Sequence, residues 1–596
     1  MKRIIAFVLS VVMLCSLAAC AAPQSKPAAN NNAADYSQVY AAVKKCRADT
    51  EIYGDYNGAR NFETEAVKAA ASDDAFSQTN VQVEGVDEGD IVKTDGEYIY
   101  AVNGNGVVIY KAAGAESAKI GTIETPEDQY ISELYICDKT LVLVENKYTM
   151  SYGMREDVKT DESSNDTEKT IAQFYDVSDP SAPKLRETVG QDGWQLSCRL
   201  YDGKLYLIST YTVWSEPDES KPETFVPSFY RDGECIVADC KSITIAPEGE
   251  SASYIVVSSY DVASGNQLAQ RSILGAGSLL YMNDRSLYLA SPRFEETYSN
   301  ERKEDVYTVS DYTSRMYTDI TRVNVSDLTV AATGTVDGLL ESQFSMDEYD
   351  GALRLVTTVD IDSYTVYKDE KHGFENWEPA EEEIKTTNSL YVLDGSLNEI
   401  SSVKGLAEDE RVYSVRFDGT FVYFCTFRQV DPLFAVDLSN PKAPKILSEL
   451  KISGFSEYLH PWSDTRLFGL GNEADTDTGA VSGMKLVMFD ISDKANVTAK
   501  HTLELDGTNY SEALYNHKAL LVSPEKNVIG FGAESKYVIF SYSDEDGFKK
   551  CAESDLGEEW SSSRGMYVGD FLYIVSDFGM KVLSMQNFET VGTVEI

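Results

Sequence analysis

Asp87, Glu88, Asp90 and Asp95 put four carboxylates inside nine residues. Oxygen ligands at that density suit a hard cation such as Ca2+. The spacing is not that of an EF-hand loop, and the same residues serve equally as an acidic turn that caps backbone amides. Asp475-Thr476-Asp477-Thr478-Gly479 is a second oxygen-rich loop, with two carboxylates only. His460-Pro461-Trp462 sets an imidazole beside an indole, and Trp214 and Trp377 sit in polar stretches where an aromatic side chain is a candidate contact for a glycan or a peptide. Covalent hydrolysis needs a nucleophile held next to a base. No Gly-x-Ser-x-Gly turn occurs, and the chain has 4 His. With 97 Asp and Glu, pairs of carboxylates are inevitable, so a pair suited to glycoside cleavage carries no information. No Cys-x-x-Cys pair occurs either, which argues against a zinc site of the usual Cys/His type.

The elements that must hold these residues are strands. From residue 80 onward apolar and polar residues alternate, and the chain carries 37 Tyr and 23 Phe with abundant Val and Ile. A tight turn followed by an apolar run recurs: Asp95-Gly96, Asp138-Lys139, Asp202-Gly203, Asn283-Asp284, Asp350-Gly351 and Asp418-Gly419, with weaker copies at Ser463-Asp464, Asn516-His517 and Gly569-Asp570. Each reads as a hairpin. Downstream of these turns, apolar strands run into Asp-rich turns such as Asp176-Val177-Ser178-Asp179-Pro180, Asp437-Leu438-Ser439-Asn440-Pro441 and Asp490-Ile491-Ser492-Asp493. Hairpin plus two further strands makes a four-stranded antiparallel unit. One such sheet cannot bury both faces, but a ring of them can. The expected fold is therefore all-β: a β-propeller of eight or nine four-stranded blades over residues 79–596. Polar insertions are expected at about 146–170, 212–252, 292–317, 362–387 and 473–482.

The N-terminus reads differently. Met1-Lys2-Arg3 is basic, Ile4 to Ala19 is apolar, and the run ends in Leu17-Ala18-Ala19-Cys20. That is a secretory signal in form, and its end resembles a bacterial lipobox, with Cys20 as the lipidated residue. Residues 1–19 are then a lipoprotein signal peptide and 20–35 a flexible tether, Pro- and Asn-bearing with little to bury. Residues 36–78 form a helical segment. In its first part Tyr36, Val39, Tyr40 and Val43 share one helix face behind the Asp35/Gln38 capping pattern, and a second, weaker helix spans Glu63 to Ala71. Seven cysteines remain after Cys15 and Cys20, with Cys235 and Cys240 near enough for a local disulfide.

The run Thr79-Asn80-Val81-Gln82-Val83-Glu84-Gly85-Val86-Asp87-Glu88-Gly89-Asp90-Ile91-Val92-Lys93-Thr94-Asp95-Gly96 resembles the opening signature of a family of secreted bacterial proteins. That family is described as carrying a C-terminal β-propeller distantly related to WD40 repeats. The Asp-Val-Ser-Asp-Pro and Asp-Leu-Ser-Asn-Pro turns are similar to those of surface-layer propeller repeats. The resemblance covers about residues 79–596 and implies the fold; it supplies no catalytic residues.

With 52 Lys and Arg against 97 Asp and Glu, the net charge is −45. A field of that sign repels a polyanion, so nucleic acid is excluded as a partner. The expected function is an extracytoplasmic protein, anchored to the membrane through its N-terminal lipid, whose propeller binds a ligand such as a cell-envelope protein or glycan. The alternative is an extracytoplasmic hydrolase or lyase with acidic residues lining the central channel.

Overall fold

The computed structural model describes residues 32–53, 75–149, 167–247, 251–275, 277–369, 371–379, 385–427, 431–475, 478, 480–557 and 562–596. The expected signal peptide, Cys20, nearly all of the expected tether, the expected helix at 63–71, and Thr476, Asp477 and Gly479 of the second oxygen-rich loop lie outside them.

Among the described residues nine consecutive four-stranded antiparallel units follow one another: blades 1 to 9, at 92–124, 129–192, 194–274, 279–337, 346–406, 411–452, 455–506, 520–555 and 563–595. Five are separate four-stranded sheets. Blade 2 gains two outer strands, Ser228–Arg231 and Glu234–Val237, and blade 3 gains a parallel strand, Ile243–Ile245. Blades 4 and 5 are joined because the strand Tyr307–Asn324 pairs with Ala352–Asp369.

Alternation along each strand sends apolar side chains to both faces, and each face packs on a neighbouring blade. Tyr135, Val142 and Phe174 of blade 2 meet Leu205, Leu207 and Tyr260 of blade 3. The same pattern continues round to blade 9, where Tyr573, Val575 and Val582 meet Ile99, Val108 and Tyr110 of blade 1. That contact closes the ring. Each fully buried side chain of this kind contributes roughly 1.5–3 kcal/mol, so the ring is held by its inter-blade faces rather than by any single sheet. Closure uses no strand exchange, since the last strand, Thr590–Glu595, completes blade 9 itself.

The turns follow from residue type. Asp138, Asp202 and Asp350 take φ of 53°, 50° and 51°, which Asp tolerates. Asp176, Asp437 and Asp490 each accept the backbone N–H two residues on, at 2.9, 2.8 and 3.0 Å. In blade 8 the hairpin turn lies between Ser523 and Val528. Asn516-His517 instead opens a 3-10 turn at 517–519, because the Asn516 side chain accepts the Lys518 N–H.

The N-terminal helix runs Tyr36–Tyr53. Val39, Val43 and Cys46 are buried on the blade 3 insertion, Tyr36 Oη donates to the Ala238 carbonyl at 2.9 Å, and Tyr40 packs on Phe225. Asn32 and Ala33, within the expected tether, pair with the strand Ile243–Ile245. Among the described residues Cys46, Cys137, Cys198, Cys235, Cys240, Cys425 and Cys551 form no disulfide, so the expected local bridge between Cys235 and Cys240 is not present. No helix among the described residues is long and apolar enough to cross a membrane.

Candidate functional site

The segment 75–91 lies inside the ring. Phe76 bridges to Val568, Asp87 to Leu200 and Asp90 to Leu134. Asn80 Nδ2 donates to the carbonyls of His517 (3.3 Å) and Leu520 (3.1 Å), and Gln82 Nε2 to those of Gln343 (2.9 Å) and Met346 (3.2 Å). Val568, Leu520, Met346, Leu200 and Leu134 lie on the first strands of blades 9, 8, 5, 3 and 2. A chain can touch the first strands of non-adjacent blades only from the axis. The segment that opens the domain therefore fills the channel.

Its charges are neutralised there. Asp87 Oδ1 takes Lys93 Nζ at 2.7 Å, and Lys93 also donates to the Glu88 carbonyl at 2.5 Å. Glu88, 1% exposed, accepts the Gln82 N–H at 2.9 Å and lies 3.8 Å from Arg199 Nη2 and 3.5 Å from His517 Nε2. Burial, aided by Lys518, holds the His517 pKa well below the ordinary range, so that imidazole is neutral. Asp90 accepts Arg564 Nε on both oxygens, at 2.9 and 3.0 Å. The same guanidinium donates to both oxygens of Glu512, at 3.0 and 2.9 Å. Burial opposes the Arg564 charge, but Asp90 and Glu512 outweigh it and hold its pKa above the ordinary value. Asp95 stands apart: it accepts the N–H groups of Glu97 and Tyr98 in the first hairpin turn. Among the described residues no three His, Cys, Asp or Glu side chains converge as a metal site. The four carboxylates expected to share a cation have separate partners.

The expected binding residues lie in three places. His460 and Trp462 are on the first strand of blade 7. His460 is fully buried with Nδ1 2.8 Å from Tyr458 Oη, and Trp462 packs on Tyr542 in the core between blades 7 and 8. Trp214 is 67% exposed in the blade 3 insertion, its carbonyl held by Arg47 at 2.9 Å.

Trp377 belongs to a projecting arm. The stretches 292–317 and 362–387, expected as polar insertions, are largely strand. Ser286–Glu304, Tyr307–Asn324, Ala352–Asp369 and Phe374–Pro379 pair side by side beyond the ring. Their Thr, Tyr and Val content favours strand although neither face is fully buried. Register puts Tyr298 opposite Tyr312 and Tyr312 opposite Tyr364, with centroids 6.0 and 5.4 Å apart, and Trp377 follows at 4.9 Å from Tyr364. The two end members are open to solvent, Tyr298 at 65% and Trp377 at 57%. Tyr364 Oη donates to Glu296, and Arg302 ties the strands through Asp311 at 3.0 Å. Sequence reading caught Trp377 but not this row, because cross-strand neighbours are invisible until the register is known.

It also missed the buried arginines. Arg199 and Arg564 are each the one charged residue of an apolar first strand, and that isolation is the signal that marks them; Arg416 shares its strand with Arg411 and Asp418 and carries no such signal.

A family model described as a beta propeller domain matches residues 76–588. An uncharacterized protein of Archaeoglobus fulgidus is 26% identical over 641 residues, covering 94% of this chain and 92% of its own. An uncharacterized protein of Methanocaldococcus jannaschii is 27% identical over 602 residues, covering 89% and 85%. Among solved structures, a functionally unknown protein of Desulfotomaculum acetoxidans is 10% identical and covers 57% of this chain and 91% of its own. Its TM-score of 0.28 is too low to carry an argument.

Proposed function

The chain belongs to the beta propeller domain family, and from that premise we propose that it is a lipid-anchored extracytoplasmic binding protein, its propeller distantly related to WD40 repeats. The ring is the rigid scaffold and the arm of blades 4 and 5 is the binding surface. Its partner is a cell-envelope protein or glycan.

The observation that carries this reading is the row Tyr298, Tyr312, Tyr364 and Trp377, which ends in two solvent-exposed aromatic side chains. Large exposed apolar groups gathered in one place mark interaction surfaces. Glu296 and Glu375 on the same strands are acceptors, so the chemistry favoured is an apolar face bordered by hydroxyl or N–H donors. Support for the location is the run Leu17-Ala18-Ala19-Cys20. Of the channel acids that a hydrolase or lyase would use, Asp87 is paired with Lys93, Glu88 stands 3.8 Å from Arg199 and Asp90 is paired with Arg564.

The test is binding of the full chain to arrays of envelope glycans and peptides, with Tyr298→Ala and Trp377→Ala alongside. Each substitution is expected to weaken capture by roughly tenfold or more, as exposed aromatic anchors do. The unfolding midpoint should not move. Variants that bind as the unaltered chain does contradict the arm as the site. In cells that produce the full chain, Cys20→Ser is expected to release the protein from the membrane fraction, and retention there would count against the lipid anchor.

A further inference from the structure

Arg416 stands on the first strand of blade 6, Arg411–Asp418, and is 3% exposed. Its Nε and Nη2 have no hydrogen-bond partner among the described residues. Those two atoms are one edge of the guanidinium, the edge that grips the two oxygens of a carboxylate or phosphate side by side. The carboxylates that feel its charge do not take it. Asp347 is held by Arg354 Nε at 3.0 Å, and neither Asp347 nor Asp418 bonds to Arg416. Every other buried arginine of the axis is satisfied: Arg199 by Ser197, Cys198 and Gln343, and Arg564 by Asp90 and Glu512.

Two more buried donors without a partner lie on elements that pack against the Arg416 strand. Asn80 Nδ2 donates to Tyr458 Oη at 3.3 Å, which leaves the Tyr458 hydroxyl hydrogen for His460 Nδ1 at 2.8 Å. The proton of the imidazole is then on Nε2, and Nε2 has no partner. Arg416 is near enough for its charge to act on this imidazole. Burial first, and then that charge, pushes the His460 pKa down to about 3, so the ring is a neutral donor. Gln343 sits on the turn that packs against the Arg416 strand. Its Oε1 accepts from Arg199 Nη2 at 2.8 Å, which fixes the amide orientation and leaves Nε2 as a further unpartnered donor. Burial pulls the Arg416 pKa only to about 10, so the guanidinium keeps its charge at neutral pH.

We propose that Arg416 and His460, with Gln343 beside them, form an oxyanion-binding site against the axis of the ring, the Nε/Nη2 edge of Arg416 taking two oxygens of a carboxylate or phosphate group and His460 Nε2 donating to the same group. A chain of net charge −45 thus keeps one buried cation in reserve for an anion that it does not itself supply. The site is independent of the arm.

Thermal unfolding of the full chain in rising sodium phosphate, and separately in rising sodium acetate, at constant ionic strength, tests this. A ligand that binds only the folded state raises the midpoint with its concentration. A rise with phosphate alone assigns a phosphate-type ligand, a rise with acetate alone a carboxylate, and either supports the site. Arg416→Gln and Arg416→Met should abolish the rise, and His460→Phe should weaken the apparent affinity roughly tenfold, the size expected for one hydrogen bond to a charged group. A purely structural arginine would behave otherwise. Without added anion, Arg416→Met should melt no lower than the unaltered chain, because removing an unpaired buried charge strands no partner. No rise with either anion, or an equal rise in the Arg416 variants, overturns the proposal.

Discussion

Arg564→Met is expected to lower the unfolding free energy by about 3–5 kcal/mol, the cost of breaking a buried ion network by removing one member. Arg564 and Asp90 are almost wholly buried and Glu512 largely so, and one guanidinium serves both acids. Its loss strands two carboxylates at the join between blade 9, the axial segment and the approach to blade 8. The measurement is equilibrium denaturant unfolding, read by tryptophan fluorescence and by circular dichroism together. The triple variant Asp90→Asn, Glu512→Gln, Arg564→Met leaves no stranded charge, and it should recover most of the loss. A cost under about 1 kcal/mol for the single variant is what a solvated surface pair would give, and it would contradict a closed axis.

Gly89→Val should also destabilise, by about 1–3 kcal/mol, through overpacking rather than charge. A Cβ at Gly89 would lie 2.5 Å from Glu133 Oε2, 2.6 Å from Glu133 Cβ and 2.8 Å from Tyr135 Cε2. None of these can move freely. Tyr135 is fully buried with its hydroxyl on Glu133 Oε2 at 2.9 Å, and the Glu133 Cβ sits on the first strand of blade 2. The segment must therefore back away from blade 2. That withdrawal breaks the two backbone hydrogen bonds that Asp90 exchanges with Leu134. Protease cleavage within 79–91 under native conditions should become measurable in the variant. Stability and cleavage equal to those of the unaltered chain would show that Gly89 does not touch the blade.

What could be read beforehand follows from which interactions are local. The hairpin turns at Asp138, Asp202, Asp350 and Asp418 announce themselves through residues that tolerate positive φ or a tight bend, and they fix the repeat. The stripe Tyr36, Val39, Tyr40 and Val43 predicts a helix over Asp35 to Arg47; the helix runs Tyr36–Tyr53, so its start is legible and its length past Arg47 is not. The carboxylates at 87–90 were legible as a cluster but not as a structure. A sequence displays the acids side by side, whereas Arg564 is 474 residues from Asp90, and His517 lies on the connection between blades 7 and 8 while Arg199 is in blade 3. The arm reads as polar insertion in the sequence because Glu, Asp, Lys and Arg interrupt its apolar alternation, and periodicity reports burial rather than strand. Asn516-His517 looked like a turn and is one, but of a 3-10 kind that precedes the strand Leu520–Ser523 instead of joining two strands.

The axial position of the segment 75–91 carries the most weight, since it closes the channel, pairs the acids and sets Asn80 against the Tyr458–His460 pair. Native-state hydrogen exchange at single-residue resolution tests it directly. The Asp87 and Asp90 amides bond to the carbonyls of Leu200 and Leu134, and the Leu200 and Leu134 amides bond back. All four should be protected to the same degree as the blade cores and should open only with the ring. Asp87 and Asp90 amides that exchange as fast as those of an exposed loop, while the blades stay protected, would show that the segment lies outside the ring.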